Sequence, residues 1–216
     1  MATGSVRRHI DLGRLIMVPL AVLVLVLNSG SLAHHPVGGI VSALRWLGVA
    51  GICAFYTLLV WAYLRRGPAV ATSSSVTAHA CAIIATLTPF AVPLLQATLP
   101  GPGRQLAADS LVLAGVAWSV WSIHSLGTNL SVLAQARDVA DRGPYRWVRH
   151  PLYAGEIVST LGLTIASWSP TAISLWLALC AMQGYRAMRE EQVLLRALPG
   201  YRAYRARTAA LLPGIF

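Results

Sequence analysis

Hydrophobic residues in this chain neither alternate, as in a half-buried strand, nor recur as the narrow stripe of a surface helix; they run in long blocks. Six blocks stand out, approximately 12–31, 41–64, 76–95, 106–126, 152–168 and 171–187. A helix crosses bilayer hydrocarbon with roughly 20 apolar residues, so the pattern predicts an all-α, polytopic bundle of about six spans. Turn-forming residues separate the blocks: Gly38-Gly39, Gly67-Pro68, Pro100-Gly101-Pro102-Gly103 and Ser169-Pro170. Blocks five and six are the short ones, and almost nothing joins them. They predict a tight helical hairpin that need not cross the whole bilayer. The first block lacks a small-residue cleavage site ahead of His34, His35 and Pro36 and is read as a retained span.

Composition sharpens this picture. Of 216 residues, 56% are hydrophobic and 11% charged, against roughly 25% charged in a soluble domain, which argues against a water-soluble enzyme. All 17 basic residues are arginine, set against 7 carboxylates, for a net charge of +10. A nucleic-acid partner would fit the charge but not a mean hydropathy of +0.62. Sorted by position, the arginines mark topology, because positive residues collect in short cytoplasmic loops. Arg7, Arg8 and Arg14 precede or open the first block, Arg65 and Arg66 follow the second, Arg137, Arg142, Arg146 and Arg149 follow the fourth, and Arg186, Arg189, Arg196, Arg202, Arg205 and Arg207 close the chain. Six crossings with both termini cytoplasmic put all of these inside and leave Arg45 and Arg104 outside. The polar segments 131–150 and 186–216 then share the cytoplasmic face, where any chemistry is expected. Cys53, Cys81 and Cys180 lie far apart in apolar stretches and read as small buried hydrophobes.

The densest polar stretch is Gly143-Pro144-Tyr145-Arg146-Trp147-Val148-Arg149-His150-Pro151-Leu152-Tyr153-Ala154-Gly155-Glu156. Gly143-Pro144 predicts a turn, and Pro151 suits the first turn of a helix. Arg149 and His150 then stand at a helix N-terminus, where free N–H groups and the dipole, reinforced by Arg149, would hold a small anion; an ordinary positive juxtamembrane loop is the alternative. Glu156 sits about a turn and a half into an apolar helix, where a carboxylate costs at least ~2.5 kcal/mol unless paired or wetted. It is expected either to bond a nearby arginine or tyrosine or to touch a ligand. Farther on, Arg186 and Glu190 share a helix face while Glu191 points away by roughly 100°. Tyr201, Arg202, Tyr204, Arg205 and Arg207 suit a segment lying on anionic lipid. His124 and Asn129 read as satisfied core polar groups, and His34 and His35 lack further ligands at metal-binding spacing.

The run Gly143-Pro-Tyr-Arg-x-x-Arg-His-Pro-x-Tyr-x-Gly155, followed by Arg186-x-x-x-Glu190-Glu191-x-x-Leu194, then Tyr201-x-x-Tyr204 and Pro213, resembles the isoprenylcysteine carboxyl methyltransferase family of integral membrane enzymes. The resemblance covers 126–216, a methyltransferase core; 1–125 holds the N-terminal spans without that signal, the whole forming one membrane domain. It implies S-adenosylmethionine as methyl donor at the cytoplasmic surface. Carried over by position, Tyr145, His150, Pro151, Leu152, Tyr153 and Glu190 would contact the cofactor, and Arg186 would face the methyl acceptor. Arg137, Asp138, Val139 and Ala140 occupy the family's further cofactor-contacting run, often His-x-Leu-Val, without its histidine and leucine. Arg149 and Glu156 are read as supporting residues, and no metal is implied. The cofactor is zwitterionic: its carboxylate suits the helix start near His150, and its amino group or ribose hydroxyls suit Glu190. The absence of Gly-x-Gly-x-x-Gly and of strand–helix alternation excludes a Rossmann-type methyltransferase. The acceptor is expected to be lipophilic, a carboxylate such as prenylcysteine, with membrane lipids and no nucleic acid as partners. An NADPH-dependent sterol or enone reductase, suggested by the ending Pro213-Gly214-Ile215-Phe216, and a non-catalytic lipid-binding protein are the alternatives.

Overall fold

The computed structural model describes residues 12–34, 38–67, 71–72, 75–95, 100–127, 135–136 and 140–211. In chain order they form α1 (Leu12–His34), α2 (Ile40–Arg65), β1 (Ala71–Thr72), α3 (Val76–Ala91), α4 (Pro102–Leu126), β2 (Gln135–Ala136), α5 (Pro151–Ser167), α6 (Pro170–Ala197) and α7 (Tyr201–Arg207). Among the described residues the elements are helical apart from one short antiparallel pairing, Ala71 with Ala136 and Thr72 with Gln135, and an isolated parallel bridge between Val148 and Ala209.

Local chemistry explains the boundaries. Ser75 and Ser169 cap α3 and α6 by accepting from the amides of Ala78 and Ala172. Proline stands in the first turn of α4, α5 and α6, where its missing N–H costs no helical bond. Pro89 lies inside α3, which tightens into a 3-10 turn at Val92–Leu95. Trp168, at φ 39°, turns the chain between α5 and α6.

Among the described residues, three helical segments are long and apolar enough to cross a membrane: Ile40–Arg65, Val76–Leu95 and Pro102–Leu126. The apolar part of α1, Arg14–Gly30, and the 17-residue α5 are shorter. Helix α6 departs from expectation. The block 171–187 is only its first part, because the helix continues unbroken to Ala197 over 28 residues, about 42 Å. Its charged half, from Arg186 on, is therefore held rigidly by the apolar half.

The helices alternate in direction, so the arginine-rich ends gather at one end of the bundle. Arg14 on α1 donates to the carbonyls of Tyr63 and Arg66 at the end of α2, Thr77 at the start of α3 meets the Tyr185 hydroxyl on α6 at 3.3 Å, and β1 joins β2. At the opposite end Arg45 lies 3.9 Å from Asp109, and the Ser167 hydroxyl donates to the Val92 carbonyl.

Small residues set the packing. On α5, Gly155 faces Gly115 and Ser119 of α4; a Cβ there would come within 2.8 Å of the Gly115 carbonyl oxygen. The two backbones thus approach as closely as small-residue helix pairs allow in membranes. That contact leaves the opposite face of α5, bearing Tyr153 and Glu156, turned to α6. Met17, Ala21, Leu59, Ala62, Tyr63 and Ile123 form a core among α1, α2 and α4.

Candidate functional site

The segment leading into α5 builds the site. Gly143, at φ +57°, opens a 3-10 turn through Arg146; its Cα lies against Ser125 and Trp121 of α4, where no side chain fits. The turn buries Tyr145, whose carbonyl accepts from the Tyr204 hydroxyl at 2.7 Å. From there the chain pairs with the segment after α7: Ala209 donates to Trp147, and the amides of Arg149 and His150 donate to Ala209 and Ala210 at 2.8 and 3.0 Å. The C-terminal segment is therefore bonded directly to the start of α5.

Two polar layers lie between α5, α6 and α7. In the layer toward α7, Glu191 accepts from Arg149 Nε at 2.7 Å and lies 3.2 Å from His150 Nε2 and 3.0 Å from Arg205 Nε. The Arg149 guanidinium also donates to the carbonyls of Arg205 and Thr208, satisfying the end of α7 with a cation as the helix dipole favours. Burial by itself would raise the Glu191 carboxyl, but hydrogen bonds and positive charge from His150 and Arg149 outweigh it and hold it at about 2. Burial, with the negative charge of Glu190 next, pushes the Tyr145 hydroxyl well above its ordinary range.

In the layer toward the apolar bundle, Tyr153 donates to Glu190 Oε2 at 2.8 Å and stacks on His150 with ring centroids 5.3 Å apart. The Arg186 guanidinium carbon lies over the Tyr153 ring, 4.6 Å from its centre, and the guanidinium donates to Gln183 Oε1 at 2.9 Å. Gln183 in turn donates to Glu156 Oε2 at 2.7 Å. Glu190 remains partly open, its side chain 24% exposed.

Tyr145, His150, Tyr153, Arg186 and Glu190 are thus brought together, with Pro151 buried at the first turn beside them. Leu152 points elsewhere and packs on the core of α1, α2 and α4. Ala140 is half-buried next to the turn. Arg137, Asp138, Val139, Asn129, His35 and Pro213 to Phe216 lie outside the described residues.

Several expectations change. Arg149 does not reinforce an anion site at the start of α5, because Glu191 and the end of α7 take its guanidinium. The amides of Arg149 and His150 are likewise taken by Ala209 and Ala210. Tyr201 and Tyr204 do not lie on lipid: both are buried against the protein, leaving Arg202, Arg205 and Arg207 outward. His124 is exposed on α4 rather than satisfied in a core, and the cysteines are half-buried free thiols. Sequence reasoning passed over Glu191, which does point away from Arg186 and for that reason reaches α7. It also passed over Gln183, whose only signal was an amide in an apolar block, three residues before Arg186.

Residues 104–199 match the phospholipid methyltransferase family, a methyltransferase family that includes the isoprenylcysteine carboxyl methyltransferases. The match takes in nearly all of α4, then α5 and α6, and ends just before α7. The match supports a membrane methyltransferase, and members of that family generally use S-adenosylmethionine. No curated protein matches the chain.

Proposed function

We propose, for a chain whose residues 104–199 match that methyltransferase family, that it moves the methyl group of S-adenosylmethionine to a lipophilic acceptor carboxylate, such as that of a prenylated cysteine. The observation that carries this reading is the meeting of Tyr145, His150, Tyr153, Arg186 and Glu190, from a turn and two helices, at one end of an apolar bundle. Six crossings with both termini and this cluster on the cytoplasmic side fit the gathering of arginine-rich helix ends around it.

The donor set suits the cofactor. Glu190 gives one oxygen to Tyr153 and stays partly open, so its carboxylate can receive an amino group or ribose hydroxyls. The Tyr201 hydroxyl is buried without a hydrogen-bond partner among the described residues and lies in the field of Glu191 and Glu190. Such an orphaned donor is costly unless a ligand or water satisfies it.

When bound, S-adenosylmethionine supplies an electrophilic methyl group on a sulfonium. The protein's own residues supply position. Arg186, over the Tyr153 ring, would orient the acceptor carboxylate, and fixing two reactants in line is worth several kcal/mol. An acceptor that is already anionic needs no general base. Apolar helices around the cluster exclude water, which favours a step in which opposite charges disappear. The test is calorimetric titration of the detergent-solubilised protein with S-adenosylhomocysteine. Wild type binds, Tyr145→Ala and Glu190→Ala lose at least tenfold in affinity, and absence of binding by folded wild type overturns the reading.

A further inference from the structure

A neutral side chain stands between the two charges nearest the proposed acceptor. Gln183 is completely buried on α6, and both ends of its amide are committed. Its Nε2 donates to Glu156 on α5 at 2.7 Å, and its Oε1 accepts from Arg186 one turn along α6 at 2.9 Å. Only one orientation of the amide satisfies both neighbours, because a carboxylate can only accept and a guanidinium can only donate. Each neighbour therefore enforces the same orientation, and the amide in turn fixes the guanidinium over the Tyr153 ring.

We propose that Gln183 is a positioning residue for the acceptor: it holds Arg186 against Tyr153 and links it to Glu156 through a neutral group. This rests on the reading of Arg186 as the acceptor-facing residue. The physical reason for an amide at this place is charge. A carboxylate at position 183 would put two like charges in hydrogen-bond contact with each other, and only one of them could stay ionised. An aliphatic residue would leave the Glu156 carboxylate without its amide donor and Arg186 without this acceptor, inside an apolar bundle. The amide orients the guanidinium without adding a charge of its own. Tyr56 of α2 and Tyr153 of α5 also lie within the electrostatic reach of Glu156, so the linked groups are Tyr56, Tyr153, Glu156 and Arg186.

Two variants test the proposal on the full chain in detergent, with N-acetyl-S-farnesylcysteine as the carboxylate probe and radiolabelled S-adenosylmethionine. Gln183→Leu should raise KM for the probe at least tenfold, while S-adenosylhomocysteine affinity changes less than threefold. Gln183→Glu keeps an acceptor for Arg186 and can share one proton with Glu156. It should rescue KM at low pH and lose the rescue as pH rises and the shared proton leaves, a limb that wild type lacks. A merely structural role for Gln183 would not create that limb. A readout independent of the acceptor is NMR of arginine labelled with 15N at the guanidinium, the Arg186 signal being identified by its loss in Arg186→Lys. Wild type and Gln183→Glu at low pH should show slow guanidinium rotation, and Gln183→Leu fast rotation. Slow rotation retained in folded Gln183→Leu, or an unchanged KM, overturns the proposal. Failure of wild type to methylate the probe, with the rotation result as expected, overturns the choice of acceptor and leaves the role of Gln183 in holding Arg186 standing.

Discussion

Replacing Glu191 with glutamine removes one charge from the junction of α5, α6 and α7 while keeping its shape. In the native protein that carboxylate binds Arg149 at 2.7 Å, Arg205 at 3.0 Å and His150 at 3.2 Å. Glutamine retains an oxygen for Arg149 but presents an NH2 group to Arg205, donor against donor. The magnitude follows from linkage. The Glu191 carboxyl falls from 4.5 to about 2 on folding, and at about 1.4 kcal/mol per pH unit this is on the order of 3 kcal/mol in favour of the charged, docked state. The bonds that depend on it tie the segment after α7 to the start of α5, through Arg149 to the Arg205 and Thr208 carbonyls and through the amides of Arg149 and His150. Hydrogen exchange at neutral pH, corrected for intrinsic rates, is the assay. In Glu191→Gln the amides of Arg149, His150 and Ala209 should exchange about a hundredfold faster, with α4 and the apolar half of α6 unchanged. The pH dependence has a definite sign. Because the folded-state pKa is depressed, the stabilisation is complete above 4.5 and fades as pH falls from there toward 2, so the variant and wild type should converge over that window. Equal exchange at neutral pH would refute the argument, because Glu191 would then carry no load at the junction.

Further consequences are more local. Tyr153→Phe keeps the stack on His150 and the ring under Arg186 but loses the bond to Glu190; S-adenosylhomocysteine affinity should fall about tenfold by calorimetry, matching the ~1.5 kcal/mol of a hydrogen bond to a charged group. Gly155→Val forces a side chain against Gly115 and Ser119 and should destabilise the bundle by at least about 3 kcal/mol, seen as aggregation or a large drop in detergent Tm. Gly30→Ala, inside α1 where an added Cβ meets nothing within 4 Å, should raise Tm slightly, because alanine favours a helix interior over glycine by up to about 1 kcal/mol. Asp141→Asn breaks the Arg207 pair, whose side chains are 66% and 53% exposed, and should shift stability by less than about 0.5 kcal/mol in a thermal melt at physiological salt.

Long apolar blocks and prolines at helix starts made the helices legible in the sequence, because each depends on a residue's own hydrophobicity or ring. Tyr145, His150, Tyr153, Arg186 and Glu190 were legible as a set for a different reason, the resemblance carried by two separated motifs. Arg149 and Glu191 were misjudged because their roles depend on α7. Helical spacing says that Glu191 faces away from Arg186, and it does; what it faces is decided by a segment ten to twenty residues later in the chain.

The sequence by itself determined that this is an arginine-rich helical membrane protein whose polar residues fall into two stretches flanking a short hairpin. The tertiary structure alone decided that α6 runs unbroken from the apolar bundle into its charged half, and that Gly155 lets α5 press on α4 while its other face meets α6. It also decided that a buried amide, Gln183, joins Glu156 to Arg186. Hydrophobicity and charge are properties of single residues and can be read in order along the chain. The partner of a buried polar group is set by the register of one helix against another, and that register comes from packing across segments far apart in sequence.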